Sequence, residues 1–262
     1  MTAGVLPVWW DDAADGPTNM AADELLAEES ARHGGLLIRL YAWSAPSVSL
    51  GAFQPIAEAE ACGDIAGLPL VRRPSGGGAI VHGTDLTYAA AVPKSHAWGG
   101  TPQALYDALH LAMVAALADC GLAARLHVPS AVDPPADALF CFSRRAPGDV
   151  VAAAPDAAPD RAAPKIMGSA QRRLGATVLQ HGSLLLSTNP AVGPAAGHAG
   201  LAEVAPSAAV SAARLAEAWI GRVAETIGFA SLRQPAPFLA GREAAIADRA
   251  VRFRDPRWTR RR

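Results

Sequence analysis

The sequence predicts a mixed α/β protein, an α+β sheet sandwich with flanking helices. Strand-like apolar runs alternate with helical periodicities but without a regular βαβ repeat, which argues against a doubly wound sheet. The 262 residues are 51% hydrophobic and 18% charged. A chain of that size can bury a core without disulfides or a structural metal. Its 23 basic and 24 acidic residues leave a formal charge of −1, which excludes a disordered polyelectrolyte and a globally basic nucleic-acid-binding domain.

The elements follow in order. Thr18 to Ala31 reads as a helix with Thr18 or Asn19 as N-cap, acidic residues near its positive end, and an end before His33-Gly34-Gly35. Leu36 to Tyr41 and Ser47 to Phe53 read as strands separated by the turn Ser44-Ala45-Pro46. A short helix, Pro55 to Cys62, precedes strands at Pro69 to Arg73, Ala79 to His82 and Asp85 to Val92. Leu105, Leu109, Met113 and Ala116 recur at three or four residues, predicting a helix over Thr101 to Leu122. Gly148 to Ala154 and Lys165 to Arg172 read as paired strands, and Thr177 to Leu186 as another. The segment PDAAPDRAAP at 155–164 has three prolines and little apolar bulk, so it is expected to be a mobile loop. A loop rich in Ala, Gly and Pro reaches Pro206, and Ser207 to Ile227 reads as an amphipathic helix. One domain spanning 1–262 is expected.

Cys62, Cys120 and Cys141 are odd in number and far apart, which fits neither a disulfide framework nor a four-cysteine zinc site. No HExxH or CxxC pattern occurs, so no metal is expected. The first fifteen residues lack Lys and Arg, unlike a secretory signal, and no apolar run is long enough to span a bilayer. The expectation is a cytoplasmic protein with no membrane or nucleic-acid partner, acting as a monomer. The ends are oppositely charged: Asp11 to Glu29 holds seven acidic and no basic residues, and Arg249 to Arg262 holds seven arginines and one aspartate. The tail reads as solvated or docked on the chain itself, with the acidic segment able to receive it.

Three places carry candidate chemistry. Arg72-Arg73-Pro74-Ser75-Gly76-Gly77-Gly78-Ala79 strips side chains from a stretch of backbone after a strand, so a ligand can approach its N–H groups while the arginines supply charge for a phosphate or carboxylate. A plain glycine turn beside surface arginines is the competing reading. Lys165 is one of two lysines against 21 arginines. At the start of a strand it is expected to face the same way as Met167 or Ser169, into space that Gly168 leaves open, where an ammonium could hold an oxyanion. The alternative is a solvated strand-end lysine. Cys141, between Phe140 and Phe142, is a buried hydrophobe unless Lys165, Arg144 or Arg145 favours its thiolate. Cys62 and Cys120 read as packing. His82 and His181 each follow an apolar strand beside a glycine, open to a site role or a structural one.

Taken together, NMAADELL at 19–26, RLYAWSAPSVSLGAFQ at 39–54, RRPSGGGAIVH at 72–82, KIMGSAQRR at 165–173 and LQHGSLLL at 179–186 resemble the lipoate-protein ligase and octanoyltransferase family. The resemblance implies the mixed α/β domain shared with biotin-protein ligases. It implies attachment of octanoyl or lipoyl groups to a lysine of lipoyl-domain proteins, namely the E2 component of 2-oxoacid dehydrogenases and the glycine-cleavage H protein. By the same resemblance Arg72, Arg73, Ser75, Gly76, Gly77, Gly78, Ala79, His82, Gly168, Ser169, Ala170, His181 and Gly182 line an acyl or acyl-adenylate site with Lys165. Cys141 matches the cysteine that forms an acyl thioester in one octanoyltransferase branch.

Two chemistries follow from the resemblance. In the transferase reading, acyl carrier protein donates the acyl group, Cys141 takes it as a thioester and no cofactor is needed. In the ligase reading, ATP and Mg activate a free acid and Cys141 only packs. Leu86-Thr87-Tyr88 and the 76 residues after 186, too few for a separate C-terminal accessory domain, favour transfer. Gly78 and Gly83, the latter where an acidic residue is common, and the long 155–164 loop favour ligation. A non-catalytic acyl-binding module is the alternative from another class. A biotin-protein ligase is disfavoured, because its GRGR-type loop is missing.

Overall fold

In the computed structural model, which describes residues 4–130, 133, 138–153, 163–206 and 210–262, the elements follow in chain order. They are β1 (Val5–Trp10), α1 (Gly16–His33), β2 (Leu37–Tyr41), β3 (Ser47–Leu50), α2 (Ile56–Glu60), β4 (Leu70–Arg72), β5 (Ile80–His82), β6 (Asp85–Pro93) and α3 (Pro102–Asp119). Then come β7 (Ala124–Leu126), β8 (Val150–Ala152), β9 (Lys165–Leu174), β10 (Thr177–Leu185), α4 (Leu201–Val204), α5 (Ala212–Thr226), β11 (Ala230–Arg233), α6 (Glu243–Arg254) and α7 (Pro256–Thr259).

Pairing sorts the strands into a large sheet, β11-β1-β2-β6-β10-β9-β8-β7, and a small one, β4-β3-β5. In the large sheet β1 runs parallel to β11 and β2, and the remaining neighbours are antiparallel. Two-residue alternation divides each long strand between two faces. On one face Ile38, Leu40, Tyr88, Ala90, Val178 and Leu184 pack against α3 and α5, where Trp219 is fully buried and its indole N–H donates to Leu109 O at 2.9 Å. On the other, Leu37, Tyr41, Ala89, Ala91 and Leu179 pack against α1 and α6. This is the mixed sandwich with flanking helices that the sequence predicts.

Several boundaries differ. α1 begins at Gly16, and its cap is Asp15, whose carboxylate accepts from Thr18 N at 2.9 Å with Pro17 in the first turn. The first turn therefore holds no acidic residue. Asn19 is buried instead, donating to Ala14 O and Ala42 O. α5 starts at Ala212 behind the cap Ser211 rather than at Ser207, and 207–209 lie outside the described residues. So do 154–162, most of the proposed 155–164 loop. Among the described residues no helix is long and apolar enough to cross a membrane.

The basic tail does dock on the acidic segment. Arg242, Arg249, Arg252 and Arg254 pair with Glu29, Glu28, Glu24 and Asp15, which brings α6 alongside α1. Beneath those pairs Ile246, Ala250 and Phe253 are buried.

Candidate functional site

The glycine loop between β4 and β5 packs directly on the Cys141 segment. Cys141 opens a single 3-10 turn, Cys141–Ser143, whose entry is pinned by Cys141 N donating to Ala79 O at 2.8 Å and Ala79 N donating to Leu139 O at 2.9 Å. A Cβ on Gly78 would lie 2.7 Å from Cys141 N and 2.9 Å from Cys141 Cα. Only a residue without a side chain fits there. Gly77 has φ +88°, the left-handed region, and its carbonyl sits where a Cβ on Gly51 would be. None of the N–H groups of Gly76, Gly77 and Gly78 is spent on a bond within the described residues.

Lys165 reaches this segment from β9. Its Nζ lies 3.4 Å from Cys141 Sγ, 3.2 Å from Cys141 O and 2.8 Å from Asp149 Oδ2. The expected alternation fails here. Val150 pairs with Met167 but Val151 with Lys165, a β-bulge that leaves one extra residue on β9. The lysine stem consequently lies against Gly168, where a Cβ would be 2.5 Å from Lys165 Cε, and away from Met167, which is in the core. Lys165 is 5% exposed. Burial opposes its charge, yet the neighbouring Cys141 and Asp149 outweigh that and raise its pKa above the ordinary lysine value. Asp149 is further held by Tyr106 OH at 2.9 Å and Ala146 N at 2.7 Å.

These groups line a cleft of about 370 Å³ that includes Gly77, Gly78, Tyr106, Cys141, Arg145, Asp149, Lys165 and Ser169. A second, narrow cavity runs between Met20, Trp43, Ile80, Ala170, His181 and Gly182. Gly77 of the cleft lies beside Ala170 of this cavity, where a Cβ on Gly77 would be 3.6 Å from Ala170 Cβ. Cys141 also packs with Ile80, Phe142 and Leu185.

Other expected site residues are given different tasks. Arg72 does not reach the cleft: its guanidinium donates to Gly51 O, Gln54 O and Thr259 O, each at 2.7 Å. Arg73 donates to Ser49 O, Ser49 Oγ, Gly76 O and Gly78 O, bracing the loop from below, and burial lowers its pKa to about 10. The arginines thus spend most of their donors on the protein's own oxygens, while Arg72 Nη2 and Arg73 Nε are buried without a partner among the described residues. Ser169 is likewise engaged. His110 Nδ1 faces Gly148 O at 2.7 Å, so it must be the donor, and Nε2 accepts from Ser169 Oγ at 2.6 Å. Ser169 then accepts from Tyr88 OH, which accepts from Gln180 Nε2. Burial keeps His110 neutral, with a pKa lowered to about 4.

His82 and His181 each stand between a serine and an aspartate. Ser75 Oγ bonds His181 Nε2, and His181 Nδ1 lies 3.2 Å from Asp23 Oδ2. Ser49 Oγ lies 2.7 Å from His82 Nε2, and His82 Nδ1 lies 2.8 Å from Asp85 Oδ2. The order is that of a hydrolase relay, but Ser75 and Ser49 are 1% and 0% exposed, so neither meets a substrate carbonyl. The first chain ties the loop, through Asp23, to Arg39 and Tyr41 beneath it. Ala79 is buried in the small-sheet core, and Gly182 makes room for Ser169, whose Oγ would be 2.3 Å from a Cβ.

Sequence reasoning missed Asp149, Tyr106, His110 and His198. Asp149 is the lone carboxylate between Leu139 and Ala154, a signal that was present. His198 lies edge-on to Phe140 and tilted beside Phe142, from a loop with no pattern of its own.

Comparison with known proteins gives the same direction. Octanoyltransferase LipM of Symbiobacterium thermophilum is 35% identical over 184 residues, covering 65% of this chain and 61% of that protein. Octanoyltransferase LipM of Geobacillus kaustophilus is 32% identical over 177 residues, covering 64% and 60%. The chain therefore spans about six tenths of the length of the curated relatives it matches. Among solved structures, Ta0514 of T. acidophilum with bound lipoic acid superposes with a TM-score of 0.73 at 19% identity, covering 98% of this chain and 100% of that one. A lipoate-protein ligase A bound with ATP gives 0.72 at 20% identity, covering 98% and 99%. These likenesses establish the fold. A sequence model described as the lipoyl protein ligase A/B catalytic domain matches residues 15–206, and the chain belongs to that family.

Proposed function

We propose that this chain is an octanoyltransferase that moves an octanoyl group from a carrier thioester to a lysine of a lipoyl domain through a Cys141 thioester. The observation that carries the reading is the Lys165 ammonium 3.4 Å from Cys141 Sγ, with the unspent N–H groups of the glycine loop against the same segment. The thiolate attacks the donor carbonyl, whose oxygen takes the negative charge beside Lys165 and the N–H groups of Gly77 and Gly78. Collapse breaks the donor C–S bond, and the departing thiolate takes a proton. The acceptor lysine, as a free amine, then attacks the new thioester, loses its proton and expels the Cys141 thiolate. Splitting the transfer makes each barrier smaller.

Relatives named octanoyltransferase support transfer over ATP-dependent ligation. In this reading the chain needs neither ATP nor Mg, and acyl carrier protein and lipoyl domains of E2 or H protein are its partners. Intact mass after mixing with octanoyl-acyl carrier protein tests it. The expected result is an octanoyl adduct, absent in Cys141→Ala, that transfers to a lipoyl domain without ATP. Loading of free octanoate or lipoate that requires ATP and survives Cys141→Ala would overturn it.

A further inference from the structure

The basic tail leaves part of its charge uncompensated. Arg242, Arg249, Arg252, Arg254, Arg257 and Arg260 each have a carboxylate partner. Arg261 and Arg262 have none among the described residues, and neither has Arg172, an exposed residue near the end of β9. Arg261 lies over the Trp258 ring at 3.6 Å, Arg262 follows it in the chain, and the charges of Arg262, Arg172 and Arg252 all act on Arg261. Like charges gathered without counter-ions on a chain of net charge −1 are a cost to the folded state unless something else meets them.

Their position ties them to the site. Arg172 follows Ala170 by two residues on β9, so both point to the sheet face that carries the glycine loop. Arg262 lies over the Phe53 ring at 6.0 Å, and Phe53, 66% exposed, lies 3.8 Å from a Cβ built on Gly76. The tail is fixed there and not frayed: Ile56 N donates to Arg262 O, Trp258 Nε1 donates to Arg72 O, and Arg72 Nε donates to Thr259 O. A solvent-exposed aromatic ring among unpaired guanidinium groups is the composition of a protein-binding hot spot.

We propose that Arg262 over Phe53, with Arg261 and Arg172 beside it, forms the docking surface for an acidic carrier protein that delivers the acyl thioester. This rests on the transferase reading above. Of the two macromolecules that reading requires, the donor fits the surface. The acceptor's reactive group is an ammonium, which a cluster of guanidinium groups repels, whereas a thioester arm brings no cation. Nucleic acid fits less well, since one exposed ring and three unpaired arginines do not make a stacking platform.

The test uses the full chain with two variants on separate elements, Arg261→Glu/Arg262→Glu and Arg172→Glu. Acylation of Cys141 is measured with octanoyl-acyl carrier protein and with the small thioester octanoyl-N-acetylcysteamine, and binding of labelled acyl carrier protein is measured by anisotropy. We expect carrier-borne acylation and carrier binding to fall about tenfold or more in each variant at low salt, with the small thioester changed less than about twofold. The wild-type advantage should shrink as salt rises. Unchanged carrier binding and carrier-borne acylation in both variants would overturn the surface, as would loss of binding to a single-stranded oligonucleotide with carrier binding intact. Carrier binding that depends on these arginines, in a wild-type chain that neither thioester acylates, would uphold the surface while sinking the transfer chemistry.

Discussion

Lys165 and Asp149 are 5% and 1% exposed and 2.8 Å apart, a buried ion pair. Replacing Lys165 with Met strands a buried carboxylate and should cost about 3–5 kcal/mol on urea unfolding, besides abolishing Cys141 acylation. The glycines separate the two effects. In Gly168→Ala the obstacle is the far end of the lysine side chain, which can shift off Cys141 while keeping its pair with Asp149. Stability should drop by only about 1 kcal/mol while acylation is lost. In Gly78→Ala the obstacle is the backbone of Cys141, which cannot yield without unpinning the turn. Both stability, by about 3 kcal/mol, and acylation should go. Equal stability losses in the two variants would show that Lys165 is not held where the bulge puts it. The raised Lys165 pKa gives a sign as well: the pair's contribution is complete below the ordinary lysine value of 10.5 and disappears only as pH climbs through the higher folded value. The stability difference between wild type and Asp149→Asn should therefore stay constant from neutrality to about pH 10 and shrink above it.

At the scale of elements, the tail shows what was legible and what was hidden. The opposed charge of 11–29 and 249–262 correctly suggested that the tail docks on the acidic helix, but the helix that does the docking went unread. Its apolar residues Ile246, Ala250 and Phe253 keep helical spacing, yet they are scattered among charges that dominate the composition. The energetics run opposite to the visibility. The ion pairs Arg249–Glu28 and Arg252–Glu24 are partly exposed and worth under about 1 kcal/mol each. Phe253 is 2% exposed, and its loss should cost about 3–5 kcal/mol. Denaturation of Phe253→Ala beside Arg249→Ala measures the contrast, and a larger loss in the arginine variant would contradict it. β1 was hidden for another reason. Pro7 weakens any strand reading, but pairing with β2 begins only at Val8, so the missing N–H interrupts no ladder on that side. β11 is exposed at all four positions and shows no alternation. In the site, glycines and Lys165 were legible because their residue types are scarce or permissive. The space beside Gly168 was legible too, but the bulge that puts the lysine into it was not, because two-residue periodicity cannot announce its own interruption.

At the scale of the whole molecule, buried polar chains tie separate elements together, and histidines sit within them. His110 links α3 to β8 and β9, His82 links β5 to β6, and His198 packs on the Cys141 segment. Burial lowers the pKa of all three. His110 and His198 fall to about 4, the latter also repelled by Arg145 and Lys165, and the Asp85 carboxylate does not fully restore His82. A histidine whose folded pKa lies below its unfolded 6.5 stabilises the fold above 6.5 and withdraws that stability as pH falls toward the folded value. For His110, fully buried with its proton on Nδ1, the loss by pH 4 is on the order of 3 kcal/mol. The fold should hold steady from pH 8 to 7 and weaken steeply between 6.5 and 4, with proton uptake on unfolding rising above one. His110→Gln keeps a donor toward Gly148 O but cannot be protonated, so its stability should be lower at pH 8 and its acid slope shallower. Chemical denaturation of both proteins from pH 8 to 4 decides the matter. If the two slopes coincide, His110 is charged inside the fold and the chain of donors from Gln180 through Tyr88 and Ser169 runs in some other direction.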